Sequence, residues 1–175
     1  MAWIVKDSAN TKIVKRDEPY LTEAIRAHFE KEILPRYATK QAALLPLMHE
    51  IQHTHEWIPH QAMEEAAEFL ELSVAEVIDT VTFYEEFRLK PAGQYLIQIC
   101  RSISCELCGY KDLSARVQKK LGIVPGETTD DGRFTLVELE CLGACGGAPA
   151  ALINEDLHED VTWEALEKKI DSLAE

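Results

Sequence analysis

The first half of the chain repeats apolar residues at the spacing of amphipathic helices. Between residues 21 and 33 they recur every fourth position, and Pro35 follows as a stop signal. A second segment runs from residue 40 to 53, Pro59 opens a third, and Ser73 caps a fourth through a capping box. Four short helices with short connections predict a small bundle. The inward-facing side chains are expected to be Ala43, Leu44, Leu47, Met48, Ile51, Met63, Ala66, Ala67, Leu70, Val77, Val81 and Phe83.

The period changes after a Pro- and Gly-containing linker at residues 87–93. Two segments alternate apolar and polar residues as strands do, and a third short strand leads through a hairpin turn into residues 157–158. The predicted strands cover residues 94–100, 134–140 and 148–153, and the predicted helices cover residues 111–121 and 161–173. The order β-α-β-β-β-α, joined to the bundle, predicts an α+β chain. We expect two domains, residues 1–90 and residues 91–175.

The composition limits the classes of function. Apolar residues make up 46% of the chain, enough to build a core, and the 18 Lys and Arg residues stand against 31 Asp and Glu, for a net charge of −13. A surface that binds nucleic acid needs clustered Lys and Arg, and the sequence contains no such run. We therefore expect no nucleic-acid partner.

No segment has the length or apolarity of a membrane span. The longest apolar run covers residues 42–48 and contains Pro46, whereas a spanning helix needs about 20 apolar residues. Residues 1–7 lack the apolar region of a signal peptide. These patterns predict a cytoplasmic protein without direct membrane insertion, and cytoplasmic thiols remain reduced.

The five cysteines carry the most chemical information. All lie between residues 100 and 145, and two pairs, Cys100 with Cys105 and Cys141 with Cys145, each follow a predicted strand. Strands of one sheet that end at the same edge would bring these pairs together. Four thiolates on two loops are the ligand set of a structural zinc ion or a [2Fe-2S] cluster. The glycines around Cys145 suit close approach of backbone N–H groups to the sulfurs.

The spacing alone leaves three assignments open. Cys100, Cys105, Cys108 and Cys141 follow the plant-type ferredoxin spacing. Cys105 and Cys108 with Cys141 and Cys145 resemble a zinc ribbon. Cys105 and Cys108 also stand where a redox-active dithiol would lie, after a strand and before a helix. Buried structural thiols are disfavoured, because such residues would be scattered through the periodic apolar faces.

The chain resembles a known family in these motifs. Cys100-x4-Cys105, followed by Cys141-Leu142-Gly143-Ala144-Cys145 and then Gly146-Gly147-Ala148-Pro149, is similar to the thioredoxin-like [2Fe-2S] ferredoxin that forms the E subunit of NADH:quinone oxidoreductase, respiratory complex I. The resemblance extends to residues 81–84, 89–91 and 132–135 and to the helical region, so it spans residues 21–173.

The resemblance implies the fold and the ligand set. The second domain would be thioredoxin-like and would hold one [2Fe-2S] cluster through Cys100, Cys105, Cys141 and Cys145. Cys108 would then be an extra cysteine, which we expect in the first turn of a helix near the site. No residue of this chain is expected to be catalytic by itself.

The resemblance also implies partners. A larger subunit would bind NADH and FMN, this chain would exchange single electrons with that flavin, and further iron–sulfur subunits would belong to the same complex. The sequence has no G-x-G-x-x-G after a strand and no phosphate loop, which agrees with a role as a subunit of an oxidoreductase. Its place would be a peripheral arm on the cytoplasmic face of the membrane. The same domain also occurs in the diaphorase modules of NAD-linked hydrogenases and formate dehydrogenases, which is the alternative.

A second motif lies on the predicted helix at residues 40–53. Residues 49–53 match H-E-x-x-H, in which His49 and His53 would be zinc ligands and Glu50 the general base of a protease. The extended form of the motif fails, because Glu56 and Pro59 stand where Gly and His are required. We therefore favour a polar, partly exposed helix face.

Overall fold

A computed structural model describes residues 15–174 of the chain, so the residues on which the signal-peptide prediction rests lie outside the described part. The chain divides into two compact units, the first ending at Pro91 and the second beginning at Ala92. Each unit has its own apolar core. In the described part, no helix combines the length and apolarity needed to cross a membrane.

The first unit is helical, and its helices begin close to the predicted positions. Its α-helices are α1 (Glu23–His28), α2 (Leu44–His55), α3 (His60–Leu70) and α4 (Val74–Phe83). The first predicted helix is not continuous, because it passes into a π-helix at Phe29–Ile33 and a 3-10 turn at Leu34–Arg36. Pro35 lies in that turn, and a proline ring clashes with the carbonyl of the preceding helical turn. The proline therefore changes the helical pitch before the chain leaves the helix.

The core of this unit contains the expected apolar residues with one exception. The predicted inward residues of α2 and α3 are buried, as are Val77 and Val81 on α4. The prediction that Phe83 faces inward is wrong, because 79% of its surface is exposed. Val77 and Val81 are four residues apart and share one face of α4, whereas Phe83 lies two residues beyond Val81 and points to the other side.

The capping box that starts α4 forms as predicted. The Ser73 hydroxyl accepts a hydrogen bond from the Glu76 N–H at 3.2 Å, and the Ser73 N–H donates to the Glu76 carboxylate at 2.9 Å. The backbone and hydroxyl hydrogen bonds from Ser73 lower the pKa of Glu76. Two donors at the helix start are therefore satisfied locally.

The segment predicted as a linker is partly packed against the helical core. Phe87 is buried there, and the buried Gln52 amide accepts from the Arg88 N–H at 2.7 Å. Gln52 also donates to the Glu86 carbonyl at 3.0 Å. The chain is therefore fixed to the helical unit as far as Arg88, beyond the point where the linker was expected to start.

The second unit is a mixed four-stranded sheet with helices. Its strands are β1 (Tyr95–Cys100), β2 (Phe134–Leu139), β3 (Ala151–Ile153) and β4 (Asp156–His158), in the spatial order β2-β1-β3-β4. β1 and β2 are parallel, whereas β3 is antiparallel to both β1 and β4. The helices are α5 (Ile103–Leu107), α6 (Tyr110–Leu121) and α7 (Trp163–Ala174). The predicted α+β class is confirmed.

Local signals explain the ends of these elements. Gly122 ends α6 with a φ of 71°, a left-handed conformation that glycine adopts without strain. The Thr162 hydroxyl accepts from the Ala165 N–H at 3.3 Å and so caps α7. Asn154, with a φ of 53°, forms the turn between β3 and β4. The third strand starts at Ala151, later than predicted, and α5 is a short helix outside the predicted order of elements.

Candidate functional site

Sheet topology brings the two cysteine-bearing loops to one edge. In the parallel pair β1 and β2, Cys100 lies opposite Leu139, so both strands reach their carboxyl ends together. Cys100 is the last residue of β1, and Cys141 follows β2 by two residues. Arg101 and Glu140, which lie next to these cysteines, form an ion pair between the two loops. The loops that the sequence predicted to converge therefore lie side by side.

Four of the five cysteine side chains interact with one another without forming a disulfide. The Cys100 thiol interacts with the thiols of Cys105 and Cys141, and Cys145 acts electrostatically on Cys105. Cys105 lies within α5, and Cys145 begins a 3-10 turn that ends at Gly147. The four cysteines expected as ligands thus lie around one location.

Cys108 differs from the other four in position. It is exposed and immediately follows the last residue of α5, whereas α6 begins only at Tyr110. The prediction that it lies in the first turn of a helix is therefore wrong. The reason is that α5 begins at Ile103 and ends at Leu107, which places Cys108 at its C-terminal end.

Backbone N–H groups surround the sulfurs. Those of Ser102 and Leu142 donate to the Cys100 sulfur, and that of Ala150 donates to the Cys105 sulfur. A fourth, from Gly143, reaches the Cys141 sulfur at 3.3 Å. Donors of this kind favour an anionic sulfur over a neutral thiol. The sequence suggested such donors only in general terms, and the contributions of Ser102 and Ala150 were missed.

These contacts shift the pKa values of the two buried thiols, Cys100 and Cys105, in opposite directions. Burial raises the pKa of Cys100, but the hydrogen bonds from Ser102 and Leu142 and the neighbouring thiols outweigh it, so the pKa lies below its ordinary value. Burial also raises the pKa of Cys105, and the neighbouring sulfurs add to that rise. Cys100 therefore loses its proton more readily than Cys105.

One side of the site is buried in the protein, and the other side is exposed to solvent. Cys100 and Cys105 are only 3% and 2% exposed and pack with the fully buried Ala150, whereas Cys141 and Cys145 are exposed. The partly buried residues that complete the apolar wall are Tyr110, Leu142, Ala144 and Ala148. A group held here would be shielded from water on the β1 side and accessible from the side of the second loop.

The loop after Cys145 is fixed by a close backbone approach. Gly147 is buried, and a Cβ atom placed on it would lie 2.6 Å from the Cβ of Glu159. The Gly147 carbonyl accepts from the Asp160 N–H at 2.7 Å, and the Pro149 carbonyl accepts from the Val161 N–H at 2.9 Å. The segment between β4 and α7 therefore holds this loop in place. The sequence signal was the Gly146-Gly147 pair.

The residues present fit a [2Fe-2S] cluster. Such a cluster takes four thiolates divided between two irons, and hydrogen bonds to its sulfurs tune its potential. A tetrahedral zinc site instead needs its ligands around a single ion. Here two of the cysteines lie at and after the end of β1 and two follow β2, which agrees with two irons that each take two thiolates. The four thiols and their N–H donors match the two-iron arrangement.

The H-E-x-x-H segment lies apart from this chemistry. His49 and His53 are exposed on α2, and the His49 ring packs 4.9 Å from the ring of Phe87. The nearby His55 ring nitrogen is 3.1 Å from the Tyr20 carbonyl oxygen. Within the described residues no third side chain joins the two histidines to make an ion site. The favoured interpretation as a polar helix face agrees with this arrangement.

Comparison with known proteins gives the family. The family model of the thioredoxin-like [2Fe-2S] ferredoxin matches residues 30–174. The chain belongs to this family. The resemblance seen in the cysteine loops is thus confirmed, and so is the thioredoxin-like fold of the second unit.

Similar proteins include the E subunits of NADH-quinone oxidoreductases. That of Rickettsia felis is 43% identical over 81% of this chain and 86% of its own length, and that of Escherichia coli K12 is 36% identical over 83% and 87%. A crystal structure of an NAD+-reducing [NiFe]-hydrogenase in the H2-reduced state has a TM-score of 0.66 and 25% identity. That match covers 75% of this chain and 22% of the hydrogenase chain.

Proposed function

We propose that the chain is the electron-transfer subunit of an NADH:quinone oxidoreductase. Cys100, Cys105, Cys141 and Cys145 hold one [2Fe-2S] cluster, which exchanges single electrons with the FMN of an NADH-binding partner subunit. The observation that carries the proposal is the meeting of these four side chains at the shared edge of β1 and β2. The membership of the chain in a [2Fe-2S] family supports it.

The chain contributes binding, electrostatics and shielding. When bound, the cluster supplies reversible one-electron chemistry. The N–H groups of Ser102, Leu142, Gly143 and Ala150 stabilise negative charge on the cysteine sulfurs. The apolar wall around Ala150 keeps water from Cys100 and Cys105, and the exposed side at Cys141 leaves a route for electrons.

The partners follow from the same proposal. Residues 91–175 hold the cluster, and residues 1–90 dock on the FMN- and NADH-binding subunit, with other iron–sulfur subunits in the same complex. The assembly is a peripheral arm on the cytoplasmic face of a membrane, and this chain does not enter the bilayer. The relatives named as subunits of NADH-quinone oxidoreductase support this placement.

A second candidate has one observation in its favour. The similar crystal structure is of an NAD+-reducing hydrogenase, and the match occupies 22% of a longer chain there. A small subunit of an NAD-linked hydrogenase or formate dehydrogenase would use the same cluster and an equivalent flavin partner. The higher identity of the relatives from NADH-quinone oxidoreductase favours the quinone-linked complex.

Metal and sulfide analysis with EPR spectroscopy tests the cluster. The chain, purified without oxygen, should contain two iron atoms and two sulfides and give a rhombic EPR signal on reduction. Cys145→Ser should damage the cluster, and the matched variant Cys108→Ser should retain it. The reverse result would favour the plant-type ligand set, and stoichiometric zinc in a colourless protein would overturn the proposal.

Partner identification separates the two candidate functions. A tagged chain purified from its own organism should bring with it the FMN-containing and quinone-linked subunits. If a hydrogenase or formate dehydrogenase subunit copurifies in stoichiometric amount instead, the second candidate replaces the first.

A further inference from the structure

A groove of mixed apolar and polar lining lies at the C-terminal end of α4 in the helical unit. Its volume is about 410 Å³, and its lining joins apolar and aromatic side chains, among them Leu44, Leu45 and Phe83, to the polar residues Gln41, Asp79 and Thr80. Phe83 is 79% exposed and Tyr84 43%, and their rings meet edge to face with centroids 5.2 Å apart. Exposed aromatic side chains beside a groove are typical of binding surfaces. We call this feature the α4 groove.

The α4 groove also carries negative potential. Asp79, an exposed residue of α4, is part of its lining. The last turn of α4 has no basic residue, so the partial negative charge of the helix C-terminus is not offset within the helix. The groove therefore combines apolar and aromatic side chains with one carboxylate and the negative end of a helix.

We propose that the α4 groove docks the FMN- and NADH-binding partner subunit through an apolar side chain flanked by Lys or Arg. The identity of this partner rests on the proposed function, and the groove adds the surface and its chemistry. A basic residue of the partner would meet Asp79 and the end of α4, while its apolar neighbour would cover the exposed ring of Phe83. Aromatic side chains suit this role, because they bury a large area with few rotatable bonds.

The charge of the chain argues against a second copy in this groove. Every copy carries a net charge of −13, so two copies of the chain repel each other. A partner with a basic patch gains from the same field. The electrostatics therefore favour a different chain with Lys or Arg at its surface.

Binding measurements with matched variants test the groove. The full, cluster-loaded chain is titrated with the purified FMN-containing subunit of the same organism, and the Kd is measured at two salt concentrations. Phe83→Ala should weaken binding at least about 10-fold, because buried aromatic anchors dominate interfaces. Asp79→Lys should weaken it as well and should reduce its salt dependence.

Two control variants separate the groove from general surface changes. Tyr37→Ala removes an aromatic ring that is 40% exposed and is not part of the groove lining, and Glu68→Lys reverses an exposed acid on α3. Both should bind within about 2-fold of the unaltered chain. Phe83 and Asp79 are exposed, so the melting temperatures of all four variants should stay close to that of the unaltered chain.

The outcomes distinguish this proposal from the proposed function. If Phe83→Ala and Asp79→Lys bind like the unaltered chain, the groove is not the docking surface, even if the cluster is present. If Phe83→Ala instead converts a dimer into a monomer in sedimentation analysis, the occupant is a second copy and the proposal is wrong. A chain without iron and sulfide that still binds the flavin subunit through Phe83 contradicts the proposed function alone.

Discussion

Replacing Gly147 by alanine should destabilise the second unit, because there is no space for the added methyl group. The new Cβ would lie 2.6 Å from the Cβ of Glu159 and 2.7 Å from its carboxylate oxygen. A Cβ atom cannot move away without the backbone, so the segment between β4 and α7 must shift. Overpacking of this kind costs about 1–3 kcal/mol. In a domain of about 60–100 residues, each kcal/mol lowers the Tm by roughly 4–8 °C.

Gly146→Ala is the matched control for this prediction. An added Cβ at Gly146 meets no atom within 4 Å, so this variant should melt at or slightly above the temperature of the unaltered chain. Thermal unfolding followed by circular dichroism gives the stability of both variants. The visible absorbance of the purified proteins gives their cluster content, which should fall for Gly147→Ala, since Gly147 follows Cys145 by two residues.

A double-mutant cycle tests the steric cause. Glu159→Gly removes the Cβ with which the new methyl group collides, so it should restore most of the stability lost in Gly147→Ala. Glu159→Ala keeps that Cβ and should restore much less. The collision with the Glu159 Cβ is not the cause if Gly147→Ala melts like Gly146→Ala, or if the two substitutions at Glu159 restore stability equally.

Two further predictions follow from capping and from thiol exposure. Ser73→Ala should destabilise the helical unit by about 1 kcal/mol in chemical denaturation, since the N-cap is lost. Because the folded state lowers the pKa of Glu76, its contribution is present above the unfolded pKa and is lost as pH falls through the folded pKa. The unaltered chain should therefore lose more stability on acidification than Ser73→Ala, and equal losses would contradict the role of the box. In the cluster-loaded chain, iodoacetamide should modify Cys108 alone, and removal of iron should expose Cys141 and Cys145 next; mass spectrometry that finds Cys108 protected would contradict the ligand set.

Periodicity predicted the helices well because their burial depends on local spacing. The faces of α2 and α3 are buried as the pattern indicated, and the capping box marks the start of α4. The prediction for Phe83 failed because an apolar residue near a helix end need not lie on the buried face. The changes of helical pitch at Phe29–Ile33 and Leu34–Arg36 accompany Pro35, and the fourfold spacing does not encode them.

The sequence predicted that the two cysteine loops meet at one sheet edge, but it did not predict the backbone around the sulfurs. The cysteine pairs could be placed because strand endings follow from alternation, and parallel pairing of β1 and β2 brings these endings together. Helix α5 has only five residues, too few to show a period, and its presence changed the position of Cys108. The N–H donors of Ser102 and Ala150 depend on loop conformations that the residue types leave open.

The parallel pairing of β1 and β2 determines the order in which parts of the site become available during synthesis and folding. Parallel neighbours need a crossover between them, and here α5 and α6 separate Cys100 from Cys141 along the chain. During synthesis the first two thiols leave the ribosome long before the other two, and the Ala150 N–H that bonds Cys105 follows later still. A complete set of four sulfurs with their donors therefore exists only after β3 has paired with β1. Under the proposed ligand set, iron and sulfide would be delivered to a nearly finished chain, and a chain terminated before residue 141 would lack two of the four proposed ligands.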